Sequence, residues 1–153
     1  MKVREIMTSK PATCSPGDSV ASALQRLWED DCGILPVIEG DQVVGIVTDR
    51  DLAMALLFQG ARPTELSIGK LPRNEVHSCS PEDETRTALE VMAKHQVRRL
   101  PVVEDGRLVG VVSLNDVALE AHSTHGSLER PTYEEVAKAF QAICTHRQQP
   151  VTV

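Results

Sequence analysis

Two stretches of the chain carry the same alternation of short apolar runs and turn residues. The segments ILPVIEGDQVVGIV and RLPVVEDGRLVGVV each place two β-branched runs around a turn that contains Gly and Asp, which predicts a β-hairpin. Each hairpin ends at a hydroxyl residue, Thr48 or Ser113, and apolar residues at helical spacing follow it. The pattern therefore predicts, twice, a strand that ends where a helix begins.

A helix is also predicted before each hairpin. Ser15 and Ser80 have the sequence context of N-caps, since each is followed by Pro and, three residues after the cap, by Asp. Apolar residues at helical spacing then predict a buried helix face. This face comprises Val20, Ala23, Leu24, Leu27 and Trp28 in the first copy, and Ala88, Leu89 and Met92 in the second.

The two patterns are copies of one another. Shifting the sequence so that Cys14 falls on Cys79 gives about fifteen identities in about forty ungapped positions, where chance gives roughly two or three. The repeated unit reads strand-helix-strand-strand-helix, with repeat 1 at 1–62 and repeat 2 at 63–122. Because units of this size rarely stand alone, we expect an α+β fold (an α/β sandwich) in which the repeats pack pseudo-symmetrically and leave a cleft between them.

Residues 123–153 are predicted to form a linker and a C-terminal amphipathic helix. The stretch HSTHGSLERP is polar, whereas TYEEVAKAFQAICTHR places apolar residues on one face: Tyr133, Val136, Ala137, Phe140, Ile143 and Cys144. This helix either covers the protein's own surface or contacts a second copy or a partner. His122 and His125 have no third metal ligand nearby, so no metal site is expected.

Composition narrows the class of partner. With 41% hydrophobic and 3% aromatic residues, an aliphatic core is expected, and a net charge of -6 argues against nucleic acid or an anionic membrane as the partner. No apolar run approaches the ~20 residues of a membrane helix, and the N-terminus lacks a signal-peptide core, so a cytoplasmic location is expected. The four cysteines form no CxxC pair, which favours buried free thiols.

The complete set of motifs resembles a pair of CBS domains, named after cystathionine β-synthase, which form a Bateman module. The resemblance rests on SP-x-D, on LPV, on the VVGIV and LVGVV strands, and on the closing Thr48-x-x-Asp51 and Ser113-x-x-Asp116. It covers about residues 1 to 122, and with no catalytic or transport domain attached the chain resembles a stand-alone CBS-pair protein.

The resemblance implies a regulatory module that senses a ligand and is not an enzyme. Its expected ligand is an adenine nucleotide (AMP, ADP or ATP) held in the cleft between repeats, although some family members bind S-adenosylmethionine or NAD and others bind nothing known. The family commonly dimerises, so a homodimer is expected, together with an unidentified regulated protein. A ligand-free dimerisation and interaction scaffold is the alternative.

The strand-to-helix junctions suggest how such a ligand is held. A helix N-terminus offers free backbone N–H groups and partial positive charge, which suit phosphate. The hydroxyls of Thr48 and Ser113 are candidates for hydrogen bonds to phosphate or ribose, and Asp51 and Asp116 for acceptors of a ribose cis-diol. The same Ser/Thr-x-x-Asp pattern is also a capping box, and the two roles are compatible for the hydroxyl.

The resemblance extends the candidate site to residues that precede each LPV and each SP motif. Backbone groups of Ile34 or Arg99 are expected to read the adenine edge, and Arg98 and Arg99 to neutralise phosphate unless they form a solvated strand edge; Arg50 is the cation available to repeat 1. The full candidate set is Thr13, Cys32, Gly33, Ile34, Pro36, Thr48, Arg50 and Asp51 in repeat 1, and Ser78, Val97, Arg98, Arg99, Pro101, Ser113 and Asp116 in repeat 2.

Catalysis is not expected, and no catalytic cofactor is implied. The sequence contains no Ser-His-Asp order, no metal-ligand spacing, no Walker glycine loop and no dinucleotide fingerprint.

Overall fold

The computed structural model describes residues 1–73, 75–123 and 130–145. The fold mixes helices and sheet, as predicted. Repeat 1 contains β1 (Thr8–Ser9), α1 (Val20–Glu29), β2 (Ile34–Glu39), β3 (Gln42–Thr48) and α2 (Asp49–Gln59). Repeat 2 contains α3 (Thr85–His95), β4 (Arg99–Glu104), β5 (Arg107–Ser113) and α4 (Leu114–Glu120), and α5 (Tyr133–Cys144) follows it.

Both predicted hairpins are present. Strands β2 and β3 pair antiparallel, with a register irregularity after Val37, and β4 pairs with β5. The two-residue turn of the first hairpin has a positive φ at Gly40 (62°), whereas that of the second has positive φ at both Asp105 (50°) and Gly106 (79°). Such left-handed residues match the right-handed twist of paired strands, which is why Gly and Asp occupy these turns.

The predicted N-caps Ser15 and Ser80 are wrong, because both helices begin later. Helix α1 is capped by Ser19, whose side chain accepts a hydrogen bond from the Ser22 amide, and α3 begins at Thr85. Residues 15–18 and 80–83 instead close turns, in which the Asp side chain accepts the Ser amide at 2.9 and 2.7 Å.

The buried face of α1 is narrower than predicted. Val20, Ala23 and Leu27 are buried, but Trp28 is 88% exposed and its position was predicted wrongly. In α3 the predicted residues are all buried: Ala88, Leu89 and Met92.

The chain forms two compact units that do not follow the sequence repeats. The repeat-1 unit comprises Thr8–His77 and Val103–Gly110, and the repeat-2 unit comprises Met1–Met7, Ser78–Val102 and the chain from Val111 onward. The repeat-2 unit therefore includes the leading segment of repeat 1, Met1–Met7, and the repeat-1 unit includes the leading segment of repeat 2, 63–77, together with Val103–Gly110 of the second hairpin.

Matching hydrogen bonds attach the two exchanged segments, which form the short 3₁₀ helices Val3–Glu5 and Ile68–Lys70. In the repeat-2 unit the Val3 amide donates to the Asp83 carbonyl at 2.9 Å, and in the repeat-1 unit the Ile68 amide donates to the Asp18 carbonyl at 2.9 Å. Val3 is fully buried, so the exchanged segment is part of the core of its unit.

Helix α5 packs against α3 and α4 of its own unit, so it covers the protein's own surface. Thr132 caps it, and its buried contact is Ala139, with Val136 and Ile143 half-buried beside it. The predicted apolar face was therefore only partly right: Tyr133, Ala137, Phe140 and Cys144 are exposed.

None of the helices within residues 1–73, 75–123 and 130–145 combines the length and apolar character needed to cross a membrane.

Candidate ligand-binding site

The junction of β3 and α2 is a closed capping box. Thr48 is the N-cap, and its Oγ1 accepts the Asp51 amide at 3.2 Å. The Asp51 carboxylate folds back, so that its Oδ2 accepts both the Thr48 amide at 3.0 Å and the Thr48 hydroxyl at 2.8 Å. The capping alternative is therefore confirmed for this pair.

The junction of β5 and α4 repeats this geometry. Oδ2 of Asp116 accepts the Ser113 amide and the Ser113 hydroxyl, each at 2.7 Å, and Ser113 Oγ accepts the Asp116 amide at 3.2 Å. The duplication has thus preserved the side-chain geometry of the junction as well as its sequence.

Each carboxylate keeps one oxygen for another partner. Among the described residues, no hydrogen bond ends on Oδ1 of Asp51 or Asp116. The hydroxyl protons of Thr48 and Ser113 are already donated to Oδ2, so these side chains present acceptors outward. An acceptor-rich junction suits the donor hydroxyls of a ribose better than it suits a phosphate oxygen.

The two helix starts differ in their side chains. Helix α2 begins with Asp49 and Asp51, and Asp49 Oδ1 accepts the Arg50 amide at 2.9 Å, so its own side chains occupy two early amides. Helix α4 has Asp116 as the acidic residue of its first turn. The exposed Arg50 offsets one of the two carboxylates of α2, so the difference in charge between the junctions comes from the arginines at positions 98 and 99 of repeat 2.

The hairpin registers bring the strand-entry residues to these junctions. Ile34 is paired with Thr48 across β2 and β3, which places the preceding Cys32 and Gly33 beside the start of α2. In repeat 2 the Leu114 amide donates to the Arg98 carbonyl at 2.9 Å, so Arg98 borders Ser113. Within each unit, the strand-entry residues therefore lie close to the junction, and their role in binding stays a prediction.

The two arginines of repeat 2 differ in exposure. Arg98 is exposed and Arg99, the first residue of β4, is half-buried, whereas the matching Ile34 is buried. Val97, between α3 and this arginine pair, is half-buried, as is the matching Cys32.

The predicted prolines lie in the core. Pro36 and Pro101 are buried, and their carbonyls accept the amides of Cys14 and Cys79 at 3.0 and 3.1 Å. The two bonds attach the segments before α1 and α3 to β2 and β4. These bonds also hold the neighbouring Thr13 and Ser78 beside the start of each hairpin, with Thr13 half-buried and Ser78 exposed.

The two thiols next to these positions are protected. Burial raises the pKa of Cys14 to about 11 and that of Cys79 to about 12, and the carboxylates of Asp18 and Asp83 add to the rise. Both thiols are therefore protonated at neutral pH and are unsuited to nucleophilic chemistry.

Sequence reasoning missed a polar network in repeat 1. Nη1 of Arg26, on α1, donates to the Thr13 carbonyl at 2.8 Å and to Asp18 Oδ2 at 2.7 Å. The available signal was an arginine one residue before the buried Leu27, with an acidic residue eight positions upstream, just before the helix begins.

A family model for the CBS domain matches residues 3–58 and 68–123, which together span most of the chain. This chain belongs to the CBS-domain family. The Bacillus subtilis CBS domain-containing protein YhcV is 34% identical to this CBS pair over 125 residues, covering 82% of this chain and 89% of that protein. The match includes both junctions, so the resemblance inferred from the motifs is confirmed.

Solved structures of similar proteins show the same fold. The crystal structure of Hypoxic Response Protein I with two coordinated zinc ions has a TM-score of 0.72 and 31% identity, covering 80% of this chain and 100% of that chain. The CBS domain pair of protein MJ0100, solved with 5′-methylthioadenosine and S-adenosyl-L-methionine, has a TM-score of 0.69 and 25% identity, covering 78% of this chain and 98% of that chain.

No cluster of three or more His, Cys, Asp or Glu side chains suited to a metal ion occurs among the residues that the structure describes. His122 Nδ1 lies 3.0 Å from the Pro131 carbonyl, and His125 lies outside the described residues.

Proposed function

We propose that this CBS pair is a regulatory module that binds an adenosyl ligand and catalyses no reaction. The observation that carries the proposal is the repeated junction, in which Asp51 and Asp116 each keep Oδ1 available beside a buried hairpin. The complex of the MJ0100 domain pair with two adenosyl compounds supports this ligand class.

The adenosyl group fits the chemistry of the junction. A ribose edge carries two hydroxyl donors, and an ionised carboxylate accepts them in charge-assisted hydrogen bonds. Such a contact requires a cis-diol and therefore selects ribonucleosides over 2′-deoxyribonucleosides. Regulation then requires that the ligand bind one conformation of the protein better than another.

The charge difference between junctions favours different ligand tails. At the repeat-1 junction Arg50 offsets one of the two carboxylates, and the remaining negative charge favours a neutral or cationic group. At the repeat-2 junction Arg98 and Arg99 outnumber the single carboxylate and favour phosphate. We therefore expect AMP, ADP or ATP to depend on repeat 2, and uncharged or cationic adenosyl compounds to depend on repeat 1.

Calorimetric titration of nucleotide-stripped protein tests this function. AMP, ADP, ATP, S-adenosylmethionine and NAD are titrated into wild type, Asp51→Asn and Asp116→Asn, which keep an oxygen for the cap while removing the charge. Losing a charge-assisted bond predicts an affinity loss of about tenfold or more. Nucleotide binding is expected to fall in Asp116→Asn, and S-adenosylmethionine binding in Asp51→Asn.

Glu135→Gln is the matched control, because Glu135 occupies the same capping-box position in α5 and lies outside the proposed site. Its binding is expected to equal that of wild type. Heat from none of the five compounds would overturn the ligand proposal and favour the scaffold alternative.

We also propose that the protein forms a homodimer through an apolar patch on α1 and α2. Trp28 is 88% exposed, Leu57 71% and Phe58 78%, on two helices that contact one another, and large exposed apolar side chains grouped in this way are typical of an interface. The matching helices of the repeat-2 unit, α3 and α4, already pack against α5.

Light scattering after size-exclusion chromatography tests the dimer. Trp28→Ser and Phe58→Ser are expected to weaken dimerisation by about tenfold or more, as for aromatic anchors of interfaces. Leu119→Ser removes an equally exposed side chain from α4 and is expected to leave the dimer intact. A wild-type monomer at high protein concentration would contradict the proposal.

A further inference from the structure

The loop before α1, Thr13–Asp18, is held by two hydrogen bonds from one guanidinium nitrogen; we call it the fastened loop. Nη1 of Arg26 donates to the Thr13 carbonyl at 2.8 Å and to Asp18 Oδ2 at 2.7 Å, and the same Oδ2 accepts the Ser15 amide at 2.9 Å. Arg26 therefore joins the two ends of the Thr13–Asp18 loop to one another and to α1.

The network stays ionised at neutral pH. The Ser15 amide is the main group that lowers the pKa of Asp18 below its usual 3.8; partial burial opposes this effect, and Arg26 adds to it. The Arg26 side chain is 38% exposed and that of Asp18 26%, so the pair is partly screened by solvent.

The corresponding loop of repeat 2 lacks this fastening. The Ser80 amide donates to Asp83 Oδ2 at 2.7 Å, so the turn itself is the same. The residue that matches Arg26 is Val91, which has no donor, since the duplication pairs Leu27 with Met92. The repeat-2 loop is instead contacted by Arg4, whose side chain pairs with Glu82 and whose amide donates to the Pro81 carbonyl at 3.1 Å. The duplicated halves therefore differ in which arginine holds the same loop.

The fastened loop lies beside the proposed site. The Cys14 amide donates to the Pro36 carbonyl, which places Thr13 next to the start of β2, and the first residue of β2, Ile34, pairs with Thr48. Thr13 is half-buried there, and its backbone carbonyl accepts the hydrogen bond from Arg26.

We propose that Arg26 is a positioning residue that preorganises the repeat-1 half of the ligand site from its own helix, a contact that Val91 cannot make in the repeat-2 half. This inference rests on the proposed function. A loop already fixed in its bound geometry pays less ordering entropy when a ligand arrives, so affinity rises without any new contact to the ligand.

The test exchanges the two residues. Arg26→Val gives repeat 1 the residue of repeat 2, and Val91→Arg introduces the guanidinium near Asp83. S-adenosylmethionine and ATP are the probes in calorimetry, and hydrogen exchange of the Ser15 and Ser80 amides is followed in the ligand-free protein. For a partly exposed pair we expect Arg26→Val to weaken S-adenosylmethionine binding about threefold to fivefold and to speed exchange at Ser15.

Selectivity separates positioning from simple loss of stability. ATP binding that depends on Asp116 is expected to be unchanged in Arg26→Val, whereas Val91→Arg is expected to slow exchange at Ser80 and to strengthen ATP binding. Asp18→Asn provides a second route to the same loss if Arg26→Val fails to fold. Gln25→Val, at the exposed neighbour of Arg26 on α1, is the control and is expected to bind as wild type does.

The outcomes distinguish this inference from the proposed function. Wild-type protein that binds neither probe overturns both. Wild-type protein that binds S-adenosylmethionine with equal affinity in Arg26→Val and Asp18→Asn overturns the positioning role alone, as does an equal loss for both probes.

Discussion

At the residue scale, single side chains and single hydrogen bonds define the candidate site. Asp51 and Asp116 stabilise a helix start with one oxygen and leave the other available, so capping and binding are compatible in the same side chain. The position of Trp28 shows the limit of periodicity. Its spacing matched the buried face of α1, but the residue lies at the exposed end of that helix.

Gly69 is a residue whose size is fixed by its surroundings. A Cβ built there would lie 3.0 Å from the Pro16 carbonyl oxygen and 3.2 Å from Pro16 Cβ, and the Gly69 amide already donates to that carbonyl. We expect Gly69→Ala to lower the free energy of unfolding by about 1–3 kcal/mol, measured by chemical denaturation, because backbone must move.

Gly17→Ala is the control for this substitution. Its Cβ would meet its nearest heavy atom, Ser15 Oγ, at 4.0 Å, so stability is expected to stay within about 0.5 kcal/mol of wild type. Equal changes in the free energy of unfolding for the two substitutions would contradict a tight contact between Pro16 and Gly69.

At the element scale, α5 is attached through a few polar contacts and one narrow apolar face. Nε of Arg86, on α3, donates to Glu135 Oε1 at 2.6 Å, and Gln96 Nε2 donates to the Thr145 carbonyl at 2.9 Å. Ala139 lies at the buried contact, where its small side chain permits close approach of the helices. The polar contacts lie near the two ends of α5, and the close apolar contact at Ala139 lies between them. Together these contacts explain why α5 docks on its own unit.

Docking of α5 is expected to weaken in acid. Partial burial raises the pKa of Glu135, but hydrogen bonds from the Thr132 amide and from Arg86 outweigh it, and the pKa lies below the usual 4.5. The stabilisation is therefore complete above about pH 4.5 and is lost as the pH falls through the lowered value. Both side chains are about one third exposed, so screening limits the effect to less than about 1 kcal/mol.

Thermal unfolding between pH 3 and pH 7 measures this effect. Glu135→Gln is expected to unfold at a lower temperature than wild type at pH 7 and to approach it at pH 3. Glu134→Gln removes the carboxylate of the exposed Glu134–Lys138 pair on the same helix and is expected to follow the wild-type curve. Parallel curves for Glu135→Gln and wild type would contradict the assignment.

At the scale of the whole molecule, the duplicated sequence and the compact units have different boundaries. The first helical amides, Val20 N and Thr85 N, donate to the carbonyls of Leu66 and Met1, which belong to the exchanged segments. The family match at 3–58 and 68–123 follows the sequence repeats, whereas the packing follows the units. A CBS pair of this kind therefore depends on both repeats for each of its cores.

Separated repeats are expected to fold poorly for this reason. A fragment of residues 63–122 lacks Val3, which is fully buried in the repeat-2 unit, and a fragment of residues 1–62 lacks the buried Ile68. We expect each fragment alone to give the amide NMR spectrum of a largely unfolded chain, because small cores tolerate no such loss. Mixing the two fragments is expected to restore dispersed resonances, and a well-folded isolated fragment would contradict this expectation.

The sequence by itself determined the duplication, the two hairpins and the two strand-to-helix junctions. Each of these depends on residues close together in the chain: left-handed turn residues such as Gly40 and Gly106, strand alternation, and Ser/Thr-x-x-Asp at a helix start. The capping boxes at Asp51 and Asp116 match one of the two roles expected for them, whereas the same Ser-x-x-Asp pattern at Ser15 and Ser80 closes a turn and starts no helix.

Only the tertiary structure decided where α1 and α3 begin, which side of α5 is buried and which acceptors Arg26 reaches. The helix starts were mispredicted because their first amides pair with carbonyls of Leu66 and Met1, which lie far away in the sequence. The buried side of α5 depends on α3, which ends well before it. Turns and caps are stabilised by residues that lie close together in the sequence. The three features named here depend on contacts that exist only once distant segments have packed.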